Sequence, residues 1–276
     1  MEETIELKSW AEFEAEVSKH EAKSNGSPIL YRGQSDAKWP LFSTLEREGN
    51  WDISLSEYYR RILSINPEIE TFTGQHWNIP KLKEYSKWAK KYDAVSSATT
   101  SPFLAYDYFV YLRHHGYPSP LLDWSSSPYI AAFFAFEKVR VREGARVAIF
   151  SYQENMGNGK STSSNNPQLH SLGANIKAPK RHFFQKSQYT ISAQFKGPNE
   201  AIRNSDKPSQ NQEWSYTRHQ DVFELDQKEQ DILRKFILPG SAKNEVLKMF
   251  DRFNLNAFSL FQDEESLLRS LAFRQS

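Results

Sequence analysis

The segment 113–135, RHHGYPSPLLDWSSSPYIAAFFA, constrains this chain more than any other. It sets His114, His115, Asp123, Trp124 and the serines at 125–127 between two apolar stretches with helical spacing, 103–114 before and 128–141 after. Two apolar helices pack against each other without such groups between them, so the polar knot calls for a buried network or for chemistry. Ser125, Ser126, Ser127 and Pro128 read as a helix start, a capping serine followed by a first-turn proline. Asp123 therefore lies beside a helix N-terminus, where free amides and the helix dipole favour an anion, either Asp123 itself or a bound phosphate.

Before the knot, residues 9–18 predict a short amphipathic helix with Trp10, Phe13 and Val17 on one face. Residues 28–31 predict a buried strand that delivers Arg32, Gly33 and Gln34 at its end, where side chains commonly face a pocket and a glycine lets a ligand approach the backbone. Ser43 and Thr44 then precede Arg47 in a turn-to-helix context. Helices are expected over 55–65 and 80–92. The second carries Lys81, Lys83, Lys87, Lys90 and Lys91, with Tyr85, Trp88 and Tyr92 three and four residues apart. That is either a core stripe with solvated lysines behind it or a phosphate-contacting surface for RNA or a partner protein.

After the knot, 146–152 predicts a strand, and the Gly-, Ser- and Asn-rich run 154–175 a long exposed loop. Its GNGKST sequence is not a phosphate loop, because Glu154 stands five residues before Gly159 where that motif needs glycine. Residues 180–193 predict a strand entered through a basic turn bearing Lys180, Arg181 and His182. A polar loop over 197–214 follows, then a helix over 226–235, a short strand 236–238, and helices over 242–253 and 264–273, the last capped by Asp263.

At 276 residues the chain reads as one domain spanning 1–276, with an N-terminal helix 9–18, a helical insert 55–93 and C-terminal helices 226–276. It has no cysteine, which excludes disulfides and thiolate metal sites, and no metal is expected. The start of the sequence shows no apolar run that would act as a signal or a membrane span, so a cytoplasmic protein with no membrane partner is expected. A net charge of +1 means that any nucleic-acid surface must be a local patch.

YRGQSDAKWPLFSTLERE at 31–48, HHGYPSPLLDWSSSPYIAAFFAF at 114–136 and RHFFQKSQYTIS at 181–192 resemble, in order and spacing, the FRG domain, named for its aromatic-Arg-Gly motif. The run 237–267 is similar to the family's closing strand, helix and acidic turn. The chain departs from the family pattern at Arg113, where the pattern has Gln, and at Pro120, where it has Arg. The resemblance implies an α+β fold, a mixed-sheet core with flanking helices similar to that of ADP-ribosyltransferases, and a bacterial toxin or defence module that uses NAD as substrate.

Cleaving the bond between nicotinamide and ribose passes through an oxocarbenium-like state, which needs an anion holder for the diphosphate, a clamp for the ring and ribose, and a nearby carboxylate. On that footing Arg32, with Gly33 and Gln34, is expected to hold the diphosphate or ribose, and Ser43 and Thr44 the ribose or the nicotinamide amide. His114 is expected on a ribose hydroxyl, Asp123 as orienting group or base, and Gln185 with Tyr189 on the acceptor side. The late catalytic glutamate usual in such transferases is missing from the 181–189 block, leaving Glu224, Glu264 or Asp123 for its role.

The expected activity is ADP-ribosyl transfer to a macromolecule, RNA ahead of protein, in a toxin–antitoxin or phage-defence setting with a neutralising protein partner. Lys83, Lys87, Lys90, Lys91 and Arg181 would form the acceptor or partner surface. An NAD glycohydrolase would use the same pocket with water as acceptor. A non-catalytic nucleotide or nucleic-acid binding module is the alternative from another class. A nuclease is third, and no spacing of carboxylates or histidines supports its metal site.

Overall fold

The computed structural model describes residues 2–24, 26–90, 103–154, 166–196, 213–225 and 231–275. Eight strands build one mixed sheet: β1 (Glu2–Glu6), β2 (Ile29–Gln34), β3 (Leu122–Ser125), β4 (Arg146–Glu154), β5 (Gln168–Ser171), β6 (Ser187–Lys196), β7 (Glu213–Tyr216) and β8 (Asp231–Pro239). Their order is β1-β8-β4-β2-β3-β6-β5, with β7 also on β6. Only the β1–β8 pair is parallel among these. The helices are α1 (Trp10–Lys23), α2 (Thr44–Arg47), α3 (Leu55–Thr73), α4 (Leu82–Lys90), α5 (Tyr106–His114), α6 (Pro128–Glu137), α7 (Lys180–Phe184), α8 (His219–Leu225), α9 (Lys243–Arg252), α10 (Ala257–Phe261) and α11 (Glu264–Arg274). The α+β expectation is met.

Side-chain alternation along β4 explains the layering. Val147 and Ile149 enter an apolar layer with Trp10 and Phe13 of α1, Phe136 of α6 and Phe250 of α9. Ala148, Phe150 and Tyr152 point the other way, to Leu41, Trp124, Val222 and Leu233. A third cluster joins α3, α4 and α5 to β6 and β7 through Tyr58, Tyr59, Tyr85, Phe109, Tyr189 and Tyr216. There Tyr59 and Tyr85 stack with ring centroids 3.7 Å apart. Tyr85 and Ala89 of α4 are buried while Lys83 and Lys87 face solvent, so the aromatic stripe belongs to the core. Lys91 and Tyr92 lie outside the described residues.

The last third departs from expectation. The stretch 231–235, expected as part of a helix over 226–235, is the first half of strand β8, and residues 226–230 lie outside the described residues. Both faces of β8 are covered: Leu233 enters the layer with Trp124, Phe236 and Leu238 the layer with α6. A strand buried on both sides carries apolar residues at consecutive positions, and Ile232, Leu233, Phe236 and Ile237 thereby imitate a helical stripe. The expected loop over 154–175 contains β5, whose four residues pair with Ser171↔Thr190 through Gln168↔Ala193 on β6. α1 runs on to Lys23 and α3 to Thr73, past the expected ends, with Pro67 inside α3. The caps of α6 and α11 are Ser127, one of the three serines expected to cap there, and Asp263, as the sequence predicts; α1 is capped by Ser9. Among the described residues no helix is long and apolar enough to cross a membrane.

Candidate functional site at a split in the sheet

β2 is paired along its full length with β4, Ile29↔Gln153 through Gln34↔Ala148. With β3 on its other side it shares a single pair, Tyr31↔Ser125. Beyond that pair the ladder stops, and a cavity of about 510 Å³ opens where it would have continued, within the range typical of ligand pockets. Arg32, Gly33 and Gln34 line it from β2, Asp123 from β3, and Gln185 from the C-cap of α7. Trp39, Phe42 and Phe134 supply aromatic wall, and Arg47 and Lys138 add positive charge.

Charge is concentrated on the β3 side. Arg32 Nη1 donates to the Asp123 carbonyl at 2.7 Å and lies 2.9 Å from Asp123 Oδ1. Arg113 Nη2, from the last turn of α5, reaches the same Oδ1 at 2.5 Å. Burial in the cleft works to raise the Asp123 carboxyl, but the guanidiniums of Arg113 and Arg32 overcome it and hold the group well below the usual carboxylate range. The Asp123 side chain is 44% exposed against 13% for Arg32, so the pair is not a sealed core ion pair and the carboxylate faces the opening. Asp123 is also the only acid among the described residues lining the cavity; Glu224 and Glu264 are not part of that wall.

The guanidiniums are incompletely used. Arg32 Nε, Arg113 Nε and the Gln34 carbonyl oxygen Oε1 are buried with no hydrogen-bond partner. A buried donor or acceptor left unpaired costs about 1–3 kcal/mol, so Arg32 Nε and Gln34 Oε1, on residues of the cavity wall, carry unmet hydrogen-bonding capacity, as does Arg113 Nε behind that wall.

Behind Asp123 stands a second polar layer. Tyr189, the cross-strand partner of Asp123 on β6, meets His114 Nε2 at 2.7 Å and His182 Nδ1 at 3.2 Å, and His182 Nε2 lies 3.2 Å from the Ala174 carbonyl. That carbonyl requires the proton on His182 Nε2. Its Nδ1 then accepts from the Tyr189 hydroxyl, whose oxygen accepts from His114 Nε2–H. Burial, then the charge of Arg181, pushes His114 down to about 3, in keeping with two neutral imidazoles. Arg181 Nη2 donates to the His114 carbonyl.

The serine knot is structural glue. Ser125 Oγ donates to the Gln185 carbonyl at 2.8 Å and accepts from Ser127 N–H at 3.1 Å, while Ser127 Oγ accepts from Ile130 N–H at the start of α6. Gln185 Nε2 donates to the Leu260 carbonyl at 3.1 Å, tying the cleft to α10. Gly33 has a packing reason: a Cβ there would lie 1.8 Å from the Ala131 carbonyl oxygen, so only glycine lets α6 rest on β2.

Arg32, Gly33, Gln34, Asp123 and Gln185 thus meet in one cavity. His114 and Tyr189 sit in the layer behind it. Ser43 caps α2, accepting from Glu46 N–H, and Thr44 Oγ1 accepts from Ser119 N–H at 2.9 Å and donates to its carbonyl at 3.3 Å. These bonds fix the short helix that ends in Arg47. Lys83, Lys87 and Lys90 are on α4, which packs on the tyrosine cluster and contributes nothing to the cavity wall. Nothing local in the sequence marks Arg47, Trp39 and Phe134 as parts of the cavity wall. Arg113 was visible as a departure from pattern, without a hint of its partner. Among the described residues no group of three His, Asp or Glu side chains is placed to hold a metal ion.

Residues 27–143 match the family model of the FRG domain, which takes in Arg32, Arg47, Arg113, His114 and Asp123 and leaves out Arg181, Gln185 and Tyr189. No curated protein matches the chain. No solved structure matches it either.

Proposed function

Taking as premise that the chain carries an FRG domain over residues 27–143, we propose that the split between β2 and β3 binds NAD and that the protein transfers its ADP-ribose to a macromolecule, RNA ahead of protein. The observation that carries this reading is the set of unpaired buried atoms, Arg32 Nε, Arg113 Nε and Gln34 Oε1, around one cleft-facing carboxylate. Guanidiniums in excess over acid suit a diphosphate, which Arg recognises with paired donors. The aromatic walls at Trp39, Phe42 and Phe134 suit the rings at either end of a dinucleotide.

Transfer breaks the bond between ribose C1′ and the nicotinamide nitrogen, and the electron pair leaves with nicotinamide. A nucleophile of the acceptor then bonds to C1′ and releases its proton to solvent water. Asp123, kept ionised by Arg113 and Arg32, stabilises the positive charge that develops on the ribose. The same pairing makes it a weak base, so its contribution is electrostatic. The layer of Tyr189, His114 and His182 positions β3 from behind. The toxin or defence setting, with a neutralising protein, follows from the family resemblance.

One observation favours a second reading, a binding module that senses a nucleotide without cleaving it: a single carboxylate lines the described wall and two guanidiniums already engage it. The deciding experiment incubates the wild-type chain and Arg32→Ala with NAD labelled in its ADP-ribose, together with total cellular RNA and protein. Label entering an acceptor with wild type alone is the expected result. Free ADP-ribose without a labelled acceptor would point to glycohydrolysis. Bound but intact NAD would establish the binding module in place of the transferase.

A further inference from the structure

Between Glu154 and Glu200 the chain has no acidic residue, although it holds 34 acids in all, and Lys160, Lys177, Lys180, Arg181, Lys186 and Lys196 fall in that interval. The part of this run over 177–186 adjoins the cleft through Gln185, while Lys196, at the far end of β6, pairs with Asp52. α7 ends on Gln185, which lines the cavity. On either side Lys177, Lys180 and Lys186 are exposed. Between them Phe183 and Phe184 of α7 stand 60% and 38% exposed, although large aromatic rings bury well and this protein buries most of its own. The opposing acids lie at the margins: Asp263 acts on Arg181, and Glu14 and Glu21 share a recess with Lys186. Among the described residues no acid pairs with Lys177 or Lys180.

Resting on the transferase reading above, we infer that the segment 177–186 is the docking surface for the acceptor and that the acceptor is a single-stranded nucleic acid. The lysines complement a polyanionic backbone. Two exposed rings beside them offer stacking faces, which a duplex keeps occupied within itself and a single strand presents. A strand lying over Phe183 and Phe184 is led by Gln185 to the cavity where C1′ would be exposed to attack. An anionic membrane shares the charge chemistry, but α7 is a five-residue helix, too short to lay an extended apolar face into lipid. The lysines of α4 lack this continuity with the cleft.

The test measures fluorescence anisotropy of 20-mer oligo(U) and oligo(dT), each single-stranded and as a duplex, and of vesicles containing phosphatidylserine, against the full chain without NAD. The expected result is preference for single strands and a loss of about tenfold in their affinity in both Lys177→Glu/Lys180→Glu and Phe183→Ala/Phe184→Ala. Lys83→Glu/Lys87→Glu should bind like wild type. Since these side chains are exposed, melting temperatures should hold, and cleavage of NAD should too. Equal affinity for duplex, binding only to vesicles, or loss in the α4 variant with none in the α7 variants would each overturn the inference. Because binding is read without NAD, a strand-binding protein that fails to cleave NAD would refute the transferase reading alone. The two oligonucleotides separate RNA from DNA as the acceptor.

Discussion

The two edges of β2 have opposite fates. Toward β4 the strand is zipped through six consecutive pairs, Ile29 to Gln34. Toward β3 it is held by one pair, after which the backbone ladder gives way to side chains, Arg32 reaching the Asp123 carbonyl and carboxylate. Backbone pairing satisfies polar groups uniformly and leaves no room for a ligand. Where it stops, each polar group depends on a particular side chain, and incomplete satisfaction at Arg32 Nε and Gln34 Oε1 is the result. A strand rigidly held on one edge and open on the other presents fixed, unsatisfied donors, the condition under which electrostatic preorganisation acts.

The closed side is the easier to break. Gly33→Ala drives a methyl into the Ala131 carbonyl, with Ala135 N–H only 2.7 Å from the same position. Both obstacles are backbone, so α6 must lift from the sheet, and a loss of about 3 kcal/mol or more in urea denaturation is expected, at the upper end of overpacking effects. On the open side Asp123→Asn keeps the shape and removes the charge. It should lower NAD cleavage on the order of 100-fold, the scale of losing one preorganised electrostatic contact, while NAD binding persists because Arg32 and Arg47 remain on the wall. Nicotinamide release and equilibrium dialysis separate the two effects. Loss of binding with unchanged melting would assign Asp123 to ligand recognition instead.

How much of this was legible in the sequence differs between the same two edges. Arg32, Gly33, Gln34 and Asp123 stand out in sequence because polar residues end apolar runs, and the cap at Ser127 follows from local chemistry. The purpose of Gly33 does not, since what it touches lies 98 residues further on, in α6. Arg113 and Asp123 are only ten residues apart, but whether two oppositely charged residues meet depends on how the chain turns between helix and strand. The first half of β8 looks helical in sequence because burial on both faces erases the alternation that identifies a strand. β5 is four residues long, flanked by Ser and Asn, and becomes a strand by pairing with β6, a tertiary effect with little local signature.

Acid should distinguish the layer behind the cleft from the cleft itself. His114 is pushed from 6.5 down to about 3, first by burial and then by Arg181. A histidine with a depressed folded value contributes stability that is complete above about pH 6.5 and lost as pH falls toward 3, because the unfolded chain takes the proton first. Asp123, also depressed, keeps its contribution in full above the ordinary carboxylate value of about 4 and loses it only as pH falls below that value. His114→Gln keeps a donor for Tyr189 and removes the titration. It should flatten the decline between pH 6.5 and 4, by at most about 1.4 kcal/mol per pH unit, and leave the steeper fall below pH 4. His182, which burial also pushes down, prevents the slope from vanishing. An unchanged slope in urea titrations across that window would mean that His114 is solvated.

The smallest effect is expected at Trp39, and it bears on how the open side is finished. The indole is 53% exposed on the cavity wall, next to Pro40, whose carbonyl accepts from Gln34 Nε2 at 3.1 Å. The ring is therefore held near the site by its backbone neighbour and does little for the core. Trp39→Ala should leave the melting temperature unchanged and weaken NAD about threefold to tenfold by calorimetry, the scale of one aromatic face. If affinity is unchanged, the aromatic contact to the ligand falls to Phe42 and Phe134. If the protein melts earlier, the exposed ring braces the 35–42 segment, and part of the opening is structural in origin.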